Sequence, residues 1–217
     1  YKAIGAIVNG LTITGEAGGL WQFSAPLLAK QVIPTSGGLS TAATADSRTV
    51  NPIRMADTQI YMDAHATGIP GTTLINANLI SFDLNIDAKR HMKTFAGSEF
   101  PGGWGDGRME GTLKTVLEFG STSKTLLDEM LASTGVALER NIRIKATQGS
   151  SVSRKGLYID FSGMQSEPVK LWDDRDGNMV VSLSWTGKHS TANASTGPAV
   201  SGDWLRILVE NGSSSTT

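Results

Sequence analysis

The fold of this chain is decided by the stretch LISFDLNIDAKRHMKTFAGSEFPGGWGDGRMEGTLKTVLEF, residues 79–119. Its first part alternates apolar with polar side chains, and its last part does so again. The apolar positions are Ile80, Phe82, Leu84, Ile86, Met109, Leu113, Leu117 and Phe119, and the polar ones are Ser81, Asp83, Asn85, Asp87, Glu110, Thr112, Lys114 and Glu118. A period of two residues predicts β-strands with one buried and one solvated face. The stretch therefore predicts two strands of a sheet, separated by a long loop.

The loop between these strands combines five glycines with three aromatic side chains. Such a loop cannot satisfy all of its own backbone groups internally, so it is expected at the surface. Aromatic rings held at a surface indicate contact with another molecule, and a second copy of the chain is the natural candidate. The residues predicted to make this contact are Phe95, Phe100, Trp104 and Arg108, in and directly after a loop spanning 95–107.

The rest of the chain predicts further short strands and one helix. Alternating segments recur at 58–64, 141–147, 155–163, 179–187 and 204–210, and their short connections favour antiparallel pairing. The segment 121–135 has a helical apolar stripe of Leu126, Leu127, Met130 and Leu131, with Ser121 or Ser123 as the expected cap and Gly135 as the expected end. The predicted fold class is mainly β, an antiparallel β-sandwich or barrel-like sheet with one flanking α-helix and long inter-strand loops.

Local turn signals add further expectations. Asn9 and Gly10 predict a hairpin between the first two strands, because Asn-Gly favours the tight turns of hairpins. Pro26 predicts an interruption in the next strand, since proline has no N–H to donate. The polar segment 172–178 predicts a turn. The remaining expectations are a long loop or arm at 33–50, a turn at 16–19, a C-terminal tail at 212–217 and a single domain over 1–217.

Composition excludes several classes of protein. The 217 residues contain no cysteine, which excludes disulfides and thiolate chemistry. The formal net charge of −1 argues against nucleic-acid binding driven by overall charge. No apolar run reaches the roughly 20 residues that cross a bilayer, so neither a membrane segment nor a signal peptide is expected.

Catalytic and metal-binding motifs are not evident. The three histidines, His65, His91 and His189, show no triad or metal-ligand spacing. Asp83, Asn85 and Asp87 resemble the start of a calcium loop, but Ala88 stands where that loop needs glycine. The carboxylates at 173, 174 and 176 are explained by a polar turn. We therefore expect no enzyme activity, no metal and no cofactor.

Four segments carry a resemblance to a known family. They are ITGEAGGLWQF (13–23), LISFDLNIDAKR (79–90), GRMEGTLKTVLEFGSTSKTLLDEML (107–131) and GLYIDFSGMQSEPVKLWDDRDGNMVVSLSWTGKHS (156–190). In content and order they resemble the tail tube, or major tail, proteins of long-tailed bacteriophages. The segment at 33–50 is the part least similar to that family.

The resemblance implies a structural virion protein without catalytic turnover. Six-subunit rings would stack into a tube, and viral DNA would pass through its lumen without sequence-specific binding. The implied partners are further copies of the chain, the tape measure and terminator proteins, and the baseplate or distal tail proteins. The implied location is the virion tail, with the host cytoplasm as the place of assembly.

One wet sheet face would then line the lumen. The candidate lumen residues are Asp83, Asn85, Asp87, Glu110, Thr112 and Glu118, whose carboxylates would repel DNA phosphates. Lys114 lies on the same predicted face and weakens this assignment, and an ordinary solvated exterior face is the alternative. Two other functions stay open at this point. They are a non-catalytic binding or adhesin-like sandwich, and the tube protein of a related contractile system.

Overall fold

A computed structural model describes residues 2–33, 52–65, 71–75, 79–132, 138–149, 154–166, 170–175, 177–188 and 204–211. The strands are β1 (Lys2–Val8), β2 (Gly10–Glu16), β3 (Gln22–Ser24), β4 (Leu27–Ile33), β5 (Thr58–Ala64), β6 (Leu79–Asp87), β7 (His91–Lys93), β8 (Gly103–Gly105), β9 (Glu110–Glu118), β10 (Glu139–Gln148), β11 (Lys155–Gln165), β12 (Lys170–Arg175), β13 (Asn178–Gly187) and β14 (Leu205–Asn211). Helix α1 is Ser121–Ala132, and a 3-10 turn covers Met55–Asp57. The predicted class, mainly β with antiparallel pairing and one α-helix, is confirmed. Within these ranges no helix is long and apolar enough to span a membrane.

Ten strands form one antiparallel sheet that folds over on itself. Eight of them follow the order β3-β2-β6-β9-β13-β11-β10-β5, with β12 added beside β13 and β14 beside β11. Strands β11 and β13 pair only over Gly163–Gln165 and Trp185–Gly187, which makes this the corner between two halves. The two halves enclose one hydrophobic core, which includes Ile13, Leu84, Leu113 and Trp185 from one half and Ile60, Ile142, Ile144 and Ile159 from the other. The result is the predicted sandwich.

The stretch 79–119 folds largely as predicted. β6 and β9 are neighbours in the sheet, and Phe82, Leu84 and Leu113 are buried in the core. The inward assignment of Met109 is wrong, because this side chain is 48% exposed. Met109 precedes β9, and the first buried position of the strand is Gly111, two residues further along. There the Trp204 ring lies so close to Gly111 that a Cβ on this glycine would be 2.1 Å from it.

The hairpin predicted at Asn9-Gly10 is wrong. β1 runs through Asn9 into β2, and these two strands pair with β4 and β3 respectively. Together they form one long bent hairpin, whose turn at 16–19 was predicted and is closed by Gly19 N–H donating to the Glu16 carbonyl at 2.9 Å. Asn9 remains extended because its N–H donates to the Pro26 carbonyl at 2.8 Å. Tertiary pairing thus overrides the local turn signal.

Helix α1 begins after Gly120. Neither serine predicted as the cap stands before the helix, because Ser121 is its first residue and Ser123 lies inside the first turn, from which it contributes to the cap. Its hydroxyl accepts a hydrogen bond from the Gly120 N–H at 2.6 Å and donates to the Glu118 carbonyl at 2.9 Å. A side chain in the first turn that reaches back to the capping residue is half of a capping box. Leu126 and Leu127 are buried, as the apolar stripe predicts. The side chains of Met130 and Leu131 and the helix end predicted at Gly135 lie outside the described part.

Two other loop predictions have different outcomes. The turn predicted at 172–178 is shorter than expected, because 170–175 forms strand β12 and pairs with β13. Gly177, whose φ is +81°, lies in a turn directly before β13, which begins at Asn178. The predictions for 33–50, beyond its first residue, and for 212–217 fall outside the described residues.

Asp63 is buried although alternation places it on the outer side of β5. It is 2% exposed. Its carboxylate accepts hydrogen bonds from the N–H groups of Gly71 at 2.6 Å, Thr72 at 3.1 Å and Thr73 at 2.7 Å, and from the Thr72 hydroxyl. Burial raises the pKa of this carboxyl, but the hydrogen bonds outweigh burial and the net pKa lies below its ordinary value. Asp63 therefore fastens residues 71–75 to the edge of the sheet.

Candidate functional site

The predicted lumen residues lie together on one outer surface, which we call the polar face. It is formed by the outward side chains of β2, β6, β9 and β13. Strand register places them in two rows across the sheet, Thr14-Asp83-Lys114-Ser184 and Thr12-Asn85-Thr112-Thr186. A further pair, Asp87 and Glu110, lies at the end of the sheet, and Glu118 is exposed at the other end of β9. The sequence thus predicted a real shared face.

A cation that sequence reasoning missed lies at the end of this face. The ammonium of Lys89 is 3.0 Å from the Asp87 carboxylate and 3.3 Å from that of Glu110. The backbone N–H and the ammonium of Lys89 lower the pKa of Asp87, and the two carboxylates raise the pKa of Lys89. Lys89 lies two residues after Asp87, the last residue of β6, and has a φ of +52°, so strand alternation carries no signal for its position. Two carboxylates here share one compensating charge.

The opposite outer surface, which we call the basic face, has the other sign of charge. It comprises the outward side chains of β10, β11 and β14. Arg143 makes a bidentate ion pair with Asp160, with distances of 2.6 and 2.8 Å. The Tyr158 ring has three cations around it, with Arg143 and Lys145 at 5.8 Å and Arg154 at 6.0 Å from its centroid. Burial, together with the charges of Arg154 and Arg143, lowers the pKa of Lys145. Positive charge is therefore concentrated on this side.

Two ribbons of paired strands project from one end of the sandwich, next to Asp87 and Glu110. The first is β1 with β4, and the second is β7 with β8. Arg90 joins their bases, because its backbone N–H donates to the Asn9 side chain at 2.9 Å and its guanidinium donates to the Val8 carbonyl at 2.9 Å and to Asp106 at 3.1 Å. Further out, the Lys30 ammonium donates to the Gly102 carbonyl at 3.5 Å.

Within the predicted loop at 95–107, only residues 103–105 form a strand, β8, which pairs with β7. Trp104 is half-buried in β8 and pairs with Met92, so its placement in an unpaired loop is wrong. Strand β8, Gly-Trp-Gly, gives a weak strand signal because two of its three residues are glycines, but one of these glycines has a packing reason. A Cβ on Gly105 would lie 2.2 Å from the His91 ring. Phe95 and Phe100 are 60% and 42% exposed, as a contact site requires, and Arg108 is exposed too.

An apolar cleft that the sequence did not reveal opens between the two halves of the sandwich. We call it the edge cleft. Its volume is about 480 Å³, and its lining includes Ile13, Phe23, Leu157, Ile207 and Val209. Finding it requires knowledge of which strands stand at the sheet edges, and that arrangement is set by long-range pairing.

The two histidines that the structure describes, His65 and His91, do not form a shared site. Nδ1 of His65 is 3.4 Å from the Ser162 hydroxyl, and its Nε2 is 3.6 Å from the Glu139 carboxylate. Ser162 is 5% exposed, and Lys188 also pairs with Glu139, so these contacts brace neighbouring strands. His91 packs on Gly105, and His189 lies outside the description. Among the described residues no group of three His, Cys, Asp or Glu side chains is placed to hold a metal ion.

Fold and surfaces together define a class of protein, a β-sandwich subunit with its distinctive features on outer faces, edges and projecting ribbons. The chain belongs to the phage tail tube protein family, whose family model matches residues 1–187. It is accordingly a structural component of the phage tail. No curated protein matches the chain. The family supports the tube interpretation over an adhesin-like binding module.

Proposed function

We propose that copies of this chain assemble into six-subunit rings that stack into the tail tube, with the polar face lining the lumen through which DNA is ejected. The observation that carries this proposal is the charge difference between the two outer surfaces. The polar face and its end carry carboxylates at Asp83, Asp87, Glu110 and Glu118, against the ammonium groups of Lys89 and Lys114. The basic face carries four cations, Arg143, Lys145, Arg154 and Arg206, against Asp160 and Glu210.

A conduit for DNA needs a wall that neither binds phosphates nor stacks on bases. Carboxylates repel the phosphate backbone over about 8 Å at physiological ionic strength. The hydroxyl and amide side chains between them, such as Thr112 and Asn85, remain hydrated without adding charge. A wall built from the basic face would hold DNA by releasing counterions. The polar face is therefore the better lumen surface.

The β7–β8 ribbon would supply a contact between copies, with the adjacent ring as its target. Phe95 and Phe100 are exposed near its tip. Trp104 contributes from within the ribbon and Arg108 from its base. Exposed aromatic rings commonly become the buried anchors of an interface.

The other proposed partners are those of a complete tail, namely the tape measure and terminator proteins and the baseplate or distal tail proteins. DNA would pass without sequence-specific binding, and assembly would take place in the host cytoplasm. The whole chain, 1–217, would act as one domain, with the 33–50 segment as an arm. A related contractile system is the second candidate, since the same tube surfaces suit it.

Negative-stain microscopy of the purified full chain tests this proposal. Rings or tubes of uniform diameter are expected. Particles the size of single chains at every protein concentration would overturn the proposal and favour the binding module.

A further inference from the structure

Apolar surface is exposed at two places that the proposed lumen and ring-stacking contacts leave unexplained. One is the edge cleft. The other is the ribbon formed by β1 and β4. Large exposed apolar areas on a soluble chain generally mark contact sites.

The edge cleft exists because, among the described strands, the sandwich is open between the outer edges of β3 and β14. In the described part of the chain, β3 pairs only with β2, and β14 pairs only with β11. Side chains that would face a closed core therefore reach the surface, with Phe23 52%, Ile207 38% and Val209 71% exposed. A free strand edge beside apolar side chains is a template for pairing with another strand.

The β1–β4 ribbon is apolar and extends away from any core. Leu27 is 62% exposed, Val32 58% and Val8 46%. A two-stranded ribbon without a hydrophobic face to pack on is marginally stable in water. Its strands, KAIGAIV and LLAKQVI, contain two lysines and no carboxylate. The ribbon is thus a strand donor that lacks a packing surface.

The cleft and the ribbon of one chain cannot meet each other. The ribbon leads through Asn9 directly into β2, and β2 supplies Leu11 and Ile13 to the cleft wall. The hydrogen bond from the Arg90 guanidinium to the Val8 carbonyl, 2.9 Å long, fixes the base of the ribbon. A ribbon that fills this cleft must therefore come from a second copy.

The rim of the cleft favours a partner with little charge. Asp57 is paired with Arg54 at 2.9 Å, and Glu210 with Arg154 at 3.3 Å. Within each pair the two charges compensate each other, and Lys155 is the one further charged side chain of the lining. A single exposed ammonium gives little attraction for a strongly charged partner such as nucleic acid or an acidic peptide, whereas the remaining lining is mostly apolar and suits an apolar strand ribbon. In a tail tube protein, the partner available at every position is another copy of the same chain.

We propose that the edge cleft of one copy receives the β1–β4 ribbon of the next copy, with the ribbon lying along the edge of β14 that has no partner among the described strands. This inference rests on the proposed assembly and names two surfaces that would join its subunits. The contact uses different patches on the two partners, so it is heterologous and propagates from copy to copy. It buries the exposed side chains of the ribbon and the cleft together.

Crosslinking tests the pairing, and the absence of cysteine from the chain makes introduced thiols the only ones present. The full-length Val32→Cys variant is mixed with the Val209→Cys variant and treated with a short bismaleimide. The expected result is a heterodimer yield at least tenfold above that of the Val32→Cys and Leu208→Cys mixture. Leu208 is the matched control because it is 40% exposed on the opposite face of the same strand.

A second pair of variants tests the contact without thiols. Val209→Asp is expected to reduce tube yield at least tenfold while keeping the thermal unfolding midpoint of the unassembled chain, and Leu208→Asp is expected to leave tube yield unchanged. Equal crosslinking of both mixtures, or full tube yield from Val209→Asp, overturns the inference. In that case, tubes formed by the unsubstituted chain still support the proposed function. Specific crosslinking without any rings or tubes supports the inference and contradicts the proposed function. If the mixtures do not crosslink and no rings or tubes form, both the inference and the proposed function are overturned.

Discussion

Asp83 lies directly opposite Lys114 across the β6–β9 strand pair, on the polar face. Asp87, two positions further along the same face of β6, shares Lys89 with Glu110. The face is therefore negative overall but carries compensating cations at two defined places. This arrangement decides which substitutions change its charge without disturbing the fold.

Asp83→Lys tests the lumen assignment. The substitution places two lysines opposite each other on an exposed surface, which costs at most about 1 kcal/mol of stability. Tubes should still form, and DNA ejection from phages carrying the variant should slow severalfold because the lumen becomes attractive to phosphates. Ejection is followed by release of labelled DNA over time. Asp128→Lys, the same charge change on the exposed side of α1, serves as the control. An unchanged ejection rate in Asp83→Lys would contradict the lumen assignment.

Phe95→Ala combined with Phe100→Ala tests the β7–β8 ribbon. Both rings are exposed, so the unassembled chain should keep its unfolding midpoint to within a few degrees. Assembly should fail, because the rings are proposed to be buried against another copy. Size-exclusion chromatography with light scattering measures the loss. Glu99→Ala, between the two phenylalanines in the same segment, should assemble as before. Normal tubes from the double variant would show that the rings are not part of the interface.

Arg90→Ala tests the connection between the two ribbons. The guanidinium donates to the Val8 carbonyl and to Asp106, and both hydrogen bonds are lost. Amide hydrogen exchange should become faster in 2–8 and 91–105, with little change in the buried strands, since local opening needs less free energy than global unfolding. Arg108→Ala, at an exposed position near the same ribbon, is the control. If 2–8 and 91–105 exchange equally fast in Arg90→Ala and Arg108→Ala, Arg90 does not stabilise the two ribbons.

Asp63→Asn should lower the free energy of unfolding by about 2–4 kcal/mol, because an amide cannot accept all the N–H donors that converge on this buried carboxylate. The folded-state pKa of Asp63 is lowered. Its contribution is therefore complete above the unfolded pKa of about 3.9 and is lost as the pH falls through the lower folded pKa.

Urea unfolding at a series of pH values below 5 measures this dependence. The difference in stability between the unsubstituted chain and Asp63→Asn should shrink as the pH falls. Asp128→Asn, which replaces an exposed carboxylate, should have almost the same free energy of unfolding as the unsubstituted chain at every pH. A constant difference between the unsubstituted chain and Asp63→Asn across this range would contradict the role assigned to the carboxylate.

Much of the fold was predictable because alternation is a local property. Phe82, Leu84 and Leu113 are buried, and Asp83, Asn85 and Thr112 share one outer face, as a period of two requires. The part of the polar face that β6 and β9 form can therefore be predicted from sequence, without knowing that β2 and β13 extend it.

The wrong predictions are explained mainly by contacts between residues that are distant in the sequence. The turn signal at Asn9-Gly10 was overridden by pairing with β4 and by a hydrogen bond from the Arg90 N–H. Asp63 is buried because N–H groups from 71–73 supply the hydrogen bonds that water would otherwise provide. Trp104 lies in a strand in which both other residues are glycines, and glycine gives a weak strand signal. The edge cleft depends on which strands have no further neighbour, and no local pattern contains that information.

The central claim is that the polar face lines a tube of stacked six-subunit rings. A cryo-electron microscopy reconstruction of tubes assembled from the purified full chain tests it most directly. The account predicts six copies per ring, with Asp83, Asn85 and Thr112 facing the lumen and Arg143 and Lys145 facing away from it. A tube with the basic face towards the lumen, or with a different number of copies per ring, would contradict the account.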